Sequence, residues 1–190
     1  MYKKLLITFL IGLYGHLSFG QNYIYRGTSK FESTPSYDFA CGSCPMGGGT
    51  LKVSIARTDA GGLLLLTTST PFSHERIAGT VLVYLADGSI ITCTDKGVKD
   101  RLDGNSMALY AFTAAEMEQL MASNVYKIRF SIRDYMMNSS ENLSAVNEED
   151  YSYDHEPKYD VAQDVAGLYG QVGSSETESS EPASDEAEND

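Results

Sequence analysis

Alternation is the strongest pattern along the chain. Leu51, Val53 and Ile55 alternate with Lys52, Ser54 and Ala56, and residues two apart share one face of a pleated strand. Asp59-Ala60-Gly61-Gly62 breaks the run, and the apolar stretch 63–68 follows with a β-rich end. That stretch is too short for a helix, so the two runs predict a hairpin whose second strand is buried. Residues 81–85 and 90–94 flank Asp87-Gly88. Asp-Gly tolerates the positive φ of a tight reversal, which predicts a second hairpin. Residues 109–112 read as one more short strand.

Thr113 and Glu116 then stand at the S/T-x-x-E spacing of a capping box. The threonine hydroxyl can accept from the Glu116 amide while the carboxylate accepts from the Thr113 amide. Met117, Leu120 and Met121 form a stripe at i, i+3, i+4, and Asn124 suits the end of a short helix. In the last strand Tyr126, Ile128, Phe130 and Ile132 face one way, with Lys127, Arg129, Ser131 and Arg133 on the other. Strict period two means one buried and one wet face. Residues 22–39 read as an unpatterned polar lead, and beyond Asp134 the pattern dissolves. One late periodicity remains: Val161, Val165 and Leu168, ending at Gly170, predict a short amphipathic helix packed back on the body. The expected fold is α+β or mostly β, an antiparallel sheet of about five to six strands with one short capped helix packed on it. The connections are too short for repeated βαβ crossovers.

The start of the chain carries an address. Lys3 and Lys4 precede an apolar run over 5–14, and Ser18 and Gly20 occupy positions −3 and −1 before Gln21. That order reads as a cleavable secretory signal peptide over 1–20, its apolar run too short to span a bilayer. No cysteine adjoins the cleavage point, which argues against a lipid anchor. The expected mature chain begins at Gln21, is secreted or periplasmic, and contains no membrane span. The expected organisation is a lead with a C-x-x-C loop over 21–49, a sheet domain over 50–133, a Tyr/Asp-rich extension over 134–173 and a tail over 174–190.

Charge sharpens this division. The 190 residues carry 14 Lys+Arg and 26 Asp+Glu, a formal net charge of −12. Divided along the chain, 1–20 contributes +2, 21–133 contributes +1 and 134–190 contributes −15. The body is therefore close to neutral and the acidity is C-terminal. The tail 174–190 has no aromatic residue and no aliphatic one larger than Ala. It cannot offset the cost of ordering, about 1–2 kcal/mol per residue, so disorder is expected. Its acidity suits a solubilising role or a polyanion for Ca²⁺ or a partner, without the spacing of an EF-hand loop. Nucleic acid is not an expected partner. The only basic cluster of the body, Lys127, Arg129 and Arg133, is small, export points the same way, and the chain has no Trp to stack on bases.

Cys41-Gly42-Ser43-Cys44 is the most chemical-looking feature. A redox dithiol needs a helix N-terminus beside its first thiol, but Pro45 to Gly49 follow and cannot start one. Cys41, Cys44 and Cys93 with His74 or His155 supply zinc-ligand types, without a second C-x-x-C or an H-x₃₋₅-H to complete the pattern. The favoured reading is one structural disulfide with one cysteine left over. Either Cys41 pairs with Cys44, or one of them reaches Cys93 and staples the loop to the sheet. Gly47-Gly48-Gly49-Thr50 lacks the Lys-Ser/Thr of a phosphate-binding loop. Ser73-His74-Glu75 has no G-x-S-x-G elbow near it, and about 110 ordered residues are few for a two-carboxylate glycosidase cleft. No catalytic, cofactor or metal residue is assigned. Of the 13 Tyr, Tyr84 and Tyr126 fall in strand patterns and are expected in the core. Tyr151, Tyr153 and Tyr159 are the candidates for a protein- or glycan-stacking surface, an interface with the body being the simpler assignment.

Residues 85–91 (LADGSII), 110–120 (YAFTAAEMEQL) and 125–130 (VYKIRF) resemble small secreted proteins of unknown function from Bacteroidetes-type bacteria, over residues 50–133. Gln21 directly after the cleavage point is similar to exported proteins of that group. The resemblance is architectural and implies no activity and no catalytic residue. The leading expectation is an exported non-enzymatic module, binding or structural, at the cell envelope or outside it. The alternatives are a thiol-redox or metal-binding accessory using Cys41 and Cys44, and a small secreted hydrolase.

Overall fold

The structure, a computed structural model, describes residues 21–44, 49–148 and 157–170. The expected signal peptide, the acidic tail, His155, Tyr151 and Tyr153 lie outside the described residues. Within them the chain forms β1 (Asn22–Arg26), β2 (Ser29–Ser33), β3 (Tyr37–Cys41), β4 (Gly49–Thr58), β5 (Gly61–Ser69), β6 (Glu75–Leu85), β7 (Ile90–Cys93), β8 (Lys99–Leu102) and β9 (Asn105–Thr113). Then come α1 (Ala114–Ala122), β10 (Val125–Asp134), β11 (Ser139–Val146) and α2 (Val161–Gly170).

All pairings are antiparallel, in the order β7-β6-β10-β11-β3-β4-β5-β9-β8, with β2 joined to β4 and β1 to β2. The fold is thus mostly β, but with eleven strands where the alternation predicted about five to six. Of the additional strands only β3 has a full alternation, with Tyr37, Phe39 and Cys41 buried; β1, β8 and β11 carry little apolar signal. Ile24 is the only buried residue of β1, Leu143 and Ala145 are the only ones of β11, and β8 has none. They are held by backbone pairing with the strand adjacent in sequence, in the hairpins β1–β2, β8–β9 and β10–β11. Since β3 and β11 are interior strands, the sheet extends across both boundaries expected at 50 and 133.

The sheet coils until β6 and β7 pack against β9. There the Ile77 amide donates to Ser106 Oγ (2.9 Å) and the Tyr110 hydroxyl donates to the Gly79 carbonyl (3.1 Å). One interior results, filled by alternate residues such as Phe39, Leu51, Leu64, Val83, Ile128 and Phe130, each at most 1% exposed. Burying such a side chain contributes about 1.5–3 kcal/mol. A second, smaller cluster lies on the outer face, where Ile24 of the β1–β2 hairpin covers Ala56, Leu63 and Leu109.

The capping box forms as expected, with Glu116 N donating to Thr113 Oγ1 (3.3 Å) and Thr113 N to Glu116 Oε2 (2.7 Å). Met117 and Leu120 of α1 enter the main core. Gly61, at φ 141°, lies so close to Phe112 and Thr113 that a Cβ there would meet their backbone. The helix expected at 161–170 is present as α2, and Val161 and Val165 join the same core.

Its docking rests on polar groups. Asn147, 1% exposed, donates through Nδ2 to the carbonyls of Val125 (2.8 Å) and Tyr159 (2.8 Å) and accepts from the Tyr159 amide (3.0 Å). Asn124 Oδ1 accepts from the Val161 amide (3.0 Å), and the Tyr37 hydroxyl donates to Asp164 (2.6 Å). Burial pushes the Tyr37 phenol above its ordinary range, which keeps that proton in place. The Tyr159 ring packs 5.1 Å from that of Tyr37, so this tyrosine serves the interface with the body.

Two tyrosines depart from expectation. Tyr126 is 41% exposed, because β10 slips register between Val125 and Lys127 and turns it outward. Tyr84 is half-buried on the outer face, under Lys127 Nζ at 4.6 Å from its ring centre. No helix of the described residues is long and apolar enough to cross a membrane.

The Asn147→Ala variant is expected to lose about 2–4 kcal/mol in urea unfolding, since it strands buried backbone groups on both β10 and the segment before α2. A loss below about 0.5 kcal/mol contradicts the role given to this side chain.

Candidate functional site

Cys41 and Cys44 form a disulfide, with Cα atoms 5.3 Å apart. It closes a turn in which the Cys44 amide donates to the Cys41 carbonyl (3.2 Å). Of the two pairings the sequence left open, this is the local one. Both half-cystines are buried, at 1% and 4% exposure. Cys93 is a free thiol inside the sheet, and burial pushes its pKa up to about 12. A thiol that stays protonated and is walled off by side chains is a poor nucleophile and a poor metal ligand. His74 sits on the β5–β6 loop, its Nε2 3.5 Å from Asp134 Oδ2 and its ring stacked on Phe72 at 5.3 Å. Among the described residues, no group of three or more His, Cys, Asp or Glu could hold a metal ion.

A different place has the form of a site. Between β6, the β7–β8 loop and the β10–β11 hairpin lies a pocket of about 400 Å³. Its origin is a bulge in β6. Between the pairs Leu82↔Arg129 and Ala78↔Ser131, four steps along β6 answer two along β10. Gly79, at φ 80°, takes up the irregularity. Bulges re-aim backbone groups, and this one turns the Gly79 carbonyl inward to Tyr110 and its amide outward to Asp95.

Asp95 is the organiser of one wall. Its Oδ2 accepts from the Gly79 amide (2.8 Å) and from Lys99 Nζ (2.7 Å), and its Oδ1 accepts from the Gly97 amide (2.7 Å). Partial burial pushes this carboxyl up, but the bonds from Lys99, Gly97 and Gly79 outweigh it and hold it below the usual range. Beneath it Tyr110 is buried, and desolvation followed by the nearby Asp95 charge keeps its phenol well above its ordinary value.

The opposite wall comes from the wet face of β10 and from the turn into β11. Ser131 Oγ donates to Asn142 Oδ1 (2.8 Å), and Arg133 Nη2 donates to Asn138 Oδ1 (2.9 Å). The Arg133 guanidinium lies over the Tyr135 ring at 5.2 Å. Ser139 and Ser140 complete the lining. One carboxylate against Lys99 and Arg133 leaves the pocket with a net positive charge.

The turn above the pocket is rigidly built. Asp134 Oδ1 accepts from the amides of Met136 (2.7 Å) and Met137 (2.9 Å), which lowers the pKa of that half-buried carboxyl. Asn138 takes the left-handed conformation at φ 50°. Tyr135 N donates to the His74 carbonyl (3.2 Å), fastening this turn to the β5–β6 loop. The result is an apolar tip: Tyr135, Met136, Met137 and Phe72 are 52%, 80%, 78% and 55% exposed. Tyr135 belongs to both tip and pocket.

None of the three cysteines lines this pocket, and neither does His74. Sequence reasoning placed Arg133 on a wet face but did not see the bulge. The available signal was Gly79 itself, since a glycine within a strand pattern marks a bulge or a close approach. No known protein family, curated protein or solved structure matches this chain.

Titration with a thiol reagent is expected to find no reactive thiol in the native chain, one after unfolding, and three after unfolding with reductant. Three thiols in the unfolded, unreduced chain contradict the disulfide, and a fast-reacting native thiol contradicts the burial of Cys93.

Proposed function

We propose that the protein is an exported, non-enzymatic binding module acting at the cell envelope or outside it, and that it binds through the end formed by the β10–β11 hairpin and its pocket. The observation that carries this reading is the apolar tip set on a polar pocket. Scattered exposed apolar residues are ordinary, but four large ones on two turns fastened to each other form a patch. Interfaces place such side chains at their centre with polar groups at the rim. The Asp134 bonds hold the tip in one shape before any partner arrives, which lowers the ordering cost of association.

The competing classes have less support. The pocket has one carboxylate, Asp95, already engaged by three donors, whereas two-carboxylate hydrolysis needs a second acid. A redox role needs an accessible low-pKa thiol, and the cysteines offer none. For export, the support is the N-terminal pattern of Lys3, Lys4, the apolar run and the small residues before Gln21, joined by a disulfide suited to an oxidising compartment.

Expression of the full chain in a bacterial host tests the first half: the exported product is expected to begin at Gln21, and an intact chain confined to the cytoplasm overturns export. For the second half, the full chain is applied to arrays of bacterial surface polysaccharides and proteins beside a Tyr135→Ser/Met136→Ser/Met137→Ser variant. The variant should keep its unfolding midpoint and lose binding at least about 10-fold. Unchanged binding by the variant overturns this assignment of the binding end.

A further inference from the structure

Resting on that reading, we infer that the pocket beside β6 binds an anionic sugar, a pyranose ring carrying a single carboxylate, as in a hexuronic acid. The first argument is the composition of the walls. Apart from Ala78, the Tyr135 ring and the aliphatic stems of Lys99 and Arg133, the lining residues bring hydroxyl, amide, charged and backbone groups: Ser131, Ser139, Ser140, Asn138 and the Gly79 segment. An apolar ligand would leave these groups desolvated and unpaired, at a cost of about 1–3 kcal/mol each. A polyhydroxylated ligand replaces their bonds to water one for one. The volume, about 400 Å³, lies at the small end of ligand pockets.

The second argument is the aromatic ring at the rim. A pyranose has one face of C–H groups, which lies well on the electron-rich face of an aromatic ring. Tyr135 is half exposed and its backbone is tied to His74; Arg133 lies over one face of the ring, so the sugar would take the other.

The third argument is charge. Lys99 is matched by Asp95 at 2.7 Å, so the two largely cancel. Arg133 is different: it gives one N–H to the neutral amide of Asn138, and among the described residues no carboxylate lies within ion-pair distance of it. Its remaining N–H groups are free to form the two-pronged bond that a guanidinium makes with a carboxylate. With Lys99 and Asp95 neutralising each other, Arg133 offers one uncompensated positive charge, which matches a monoanion better than a phosphate dianion.

Calorimetric titration of the full chain tests this with D-galacturonate, D-galactose, tri-galacturonate and inorganic phosphate as probes. The acid is expected to bind at least about 10-fold more tightly than the neutral sugar, the margin of one charge-assisted contact. Arg133→Gln should abolish that margin, and Arg133→Lys should restore only part of it because the charge returns without the fork. Lys52→Gln, outside the pocket, should change nothing, and equal unfolding midpoints exclude misfolding as the cause. Tighter binding of the trimer than the monomer identifies a polysaccharide as the source; equal binding identifies the free sugar. Binding of galactose as strong as galacturonate overturns the anionic assignment and leaves the binding reading standing. Phosphate as strong as galacturonate overturns the sugar. If no sugar binds, this inference fails, while array binding lost in the tip variant would still support the module.

Discussion

Gly79 is where the inside of this protein meets its outside. A sheet with one apolar face must bury that face against something, and here it coils until β6 reaches β9. At the meeting point the Gly79 carbonyl accepts from Tyr110 in the interior, and the Gly79 amide donates to Asp95 on the surface. Four steps of β6 against two of β10 make this double engagement geometrically available. Without the bulge the carbonyl and amide would point along the ladder, the interior phenol would lack an acceptor, and Asp95 would lose a donor. The pocket therefore follows from how the sheet is closed.

Two of the described acidic residues of the C-terminal third lie away from the pocket. A net charge of −12 looks unsuited to an anionic ligand. Asp160 and Asp164, however, belong to the α2 region, which docks at the Val125 and Asn147 end of β10 and β11. The pocket lies at the Arg133 and Ser140 end. Eight residues of strand separate the two, roughly 26 Å, against a screening length of about 8–10 Å in physiological salt. What a ligand meets locally is Arg133, Lys99 and Asp95.

Much of the frame was legible in the chain. Asp87-Gly88 does turn a hairpin, with Ser89 donating to the Asp87 carboxylate, and Thr113 with Glu116 does cap a helix. Ile128, Phe130 and Ile132 do face inward, and Val161, Val165 and Leu168 do bury one side of a helix. In each case the signal is local, a spacing or a turn residue. The signal fails where a strand is held mainly by backbone pairing and buries few side chains. Strand β11 shows only Leu143 and Ala145 to the core, and β1 only Ile24. A period of two cannot be read from one or two apolar positions. The pocket was less visible still. Gly79, Asp95 and Arg133 come from three elements, brought together by register, and no short-range pattern encodes register across β6 and β10. The disulfide partner was undecidable for the same reason, since Cys93 is as buried as Cys41 and Cys44.

The central claim is that the surface beside the β6 bulge is where this protein meets its ligand. Amide shifts of the ¹⁵N-labelled full chain, recorded as tri-galacturonate is added, test it most directly. The account predicts that the largest shifts fall on Gly79, Gly97, Asn138, Ser139 and Ser140, with the amides of α1 and α2 unmoved. Shifts centred on the β1–β2 hairpin, or no shift at any of these five amides at saturating ligand, would contradict it.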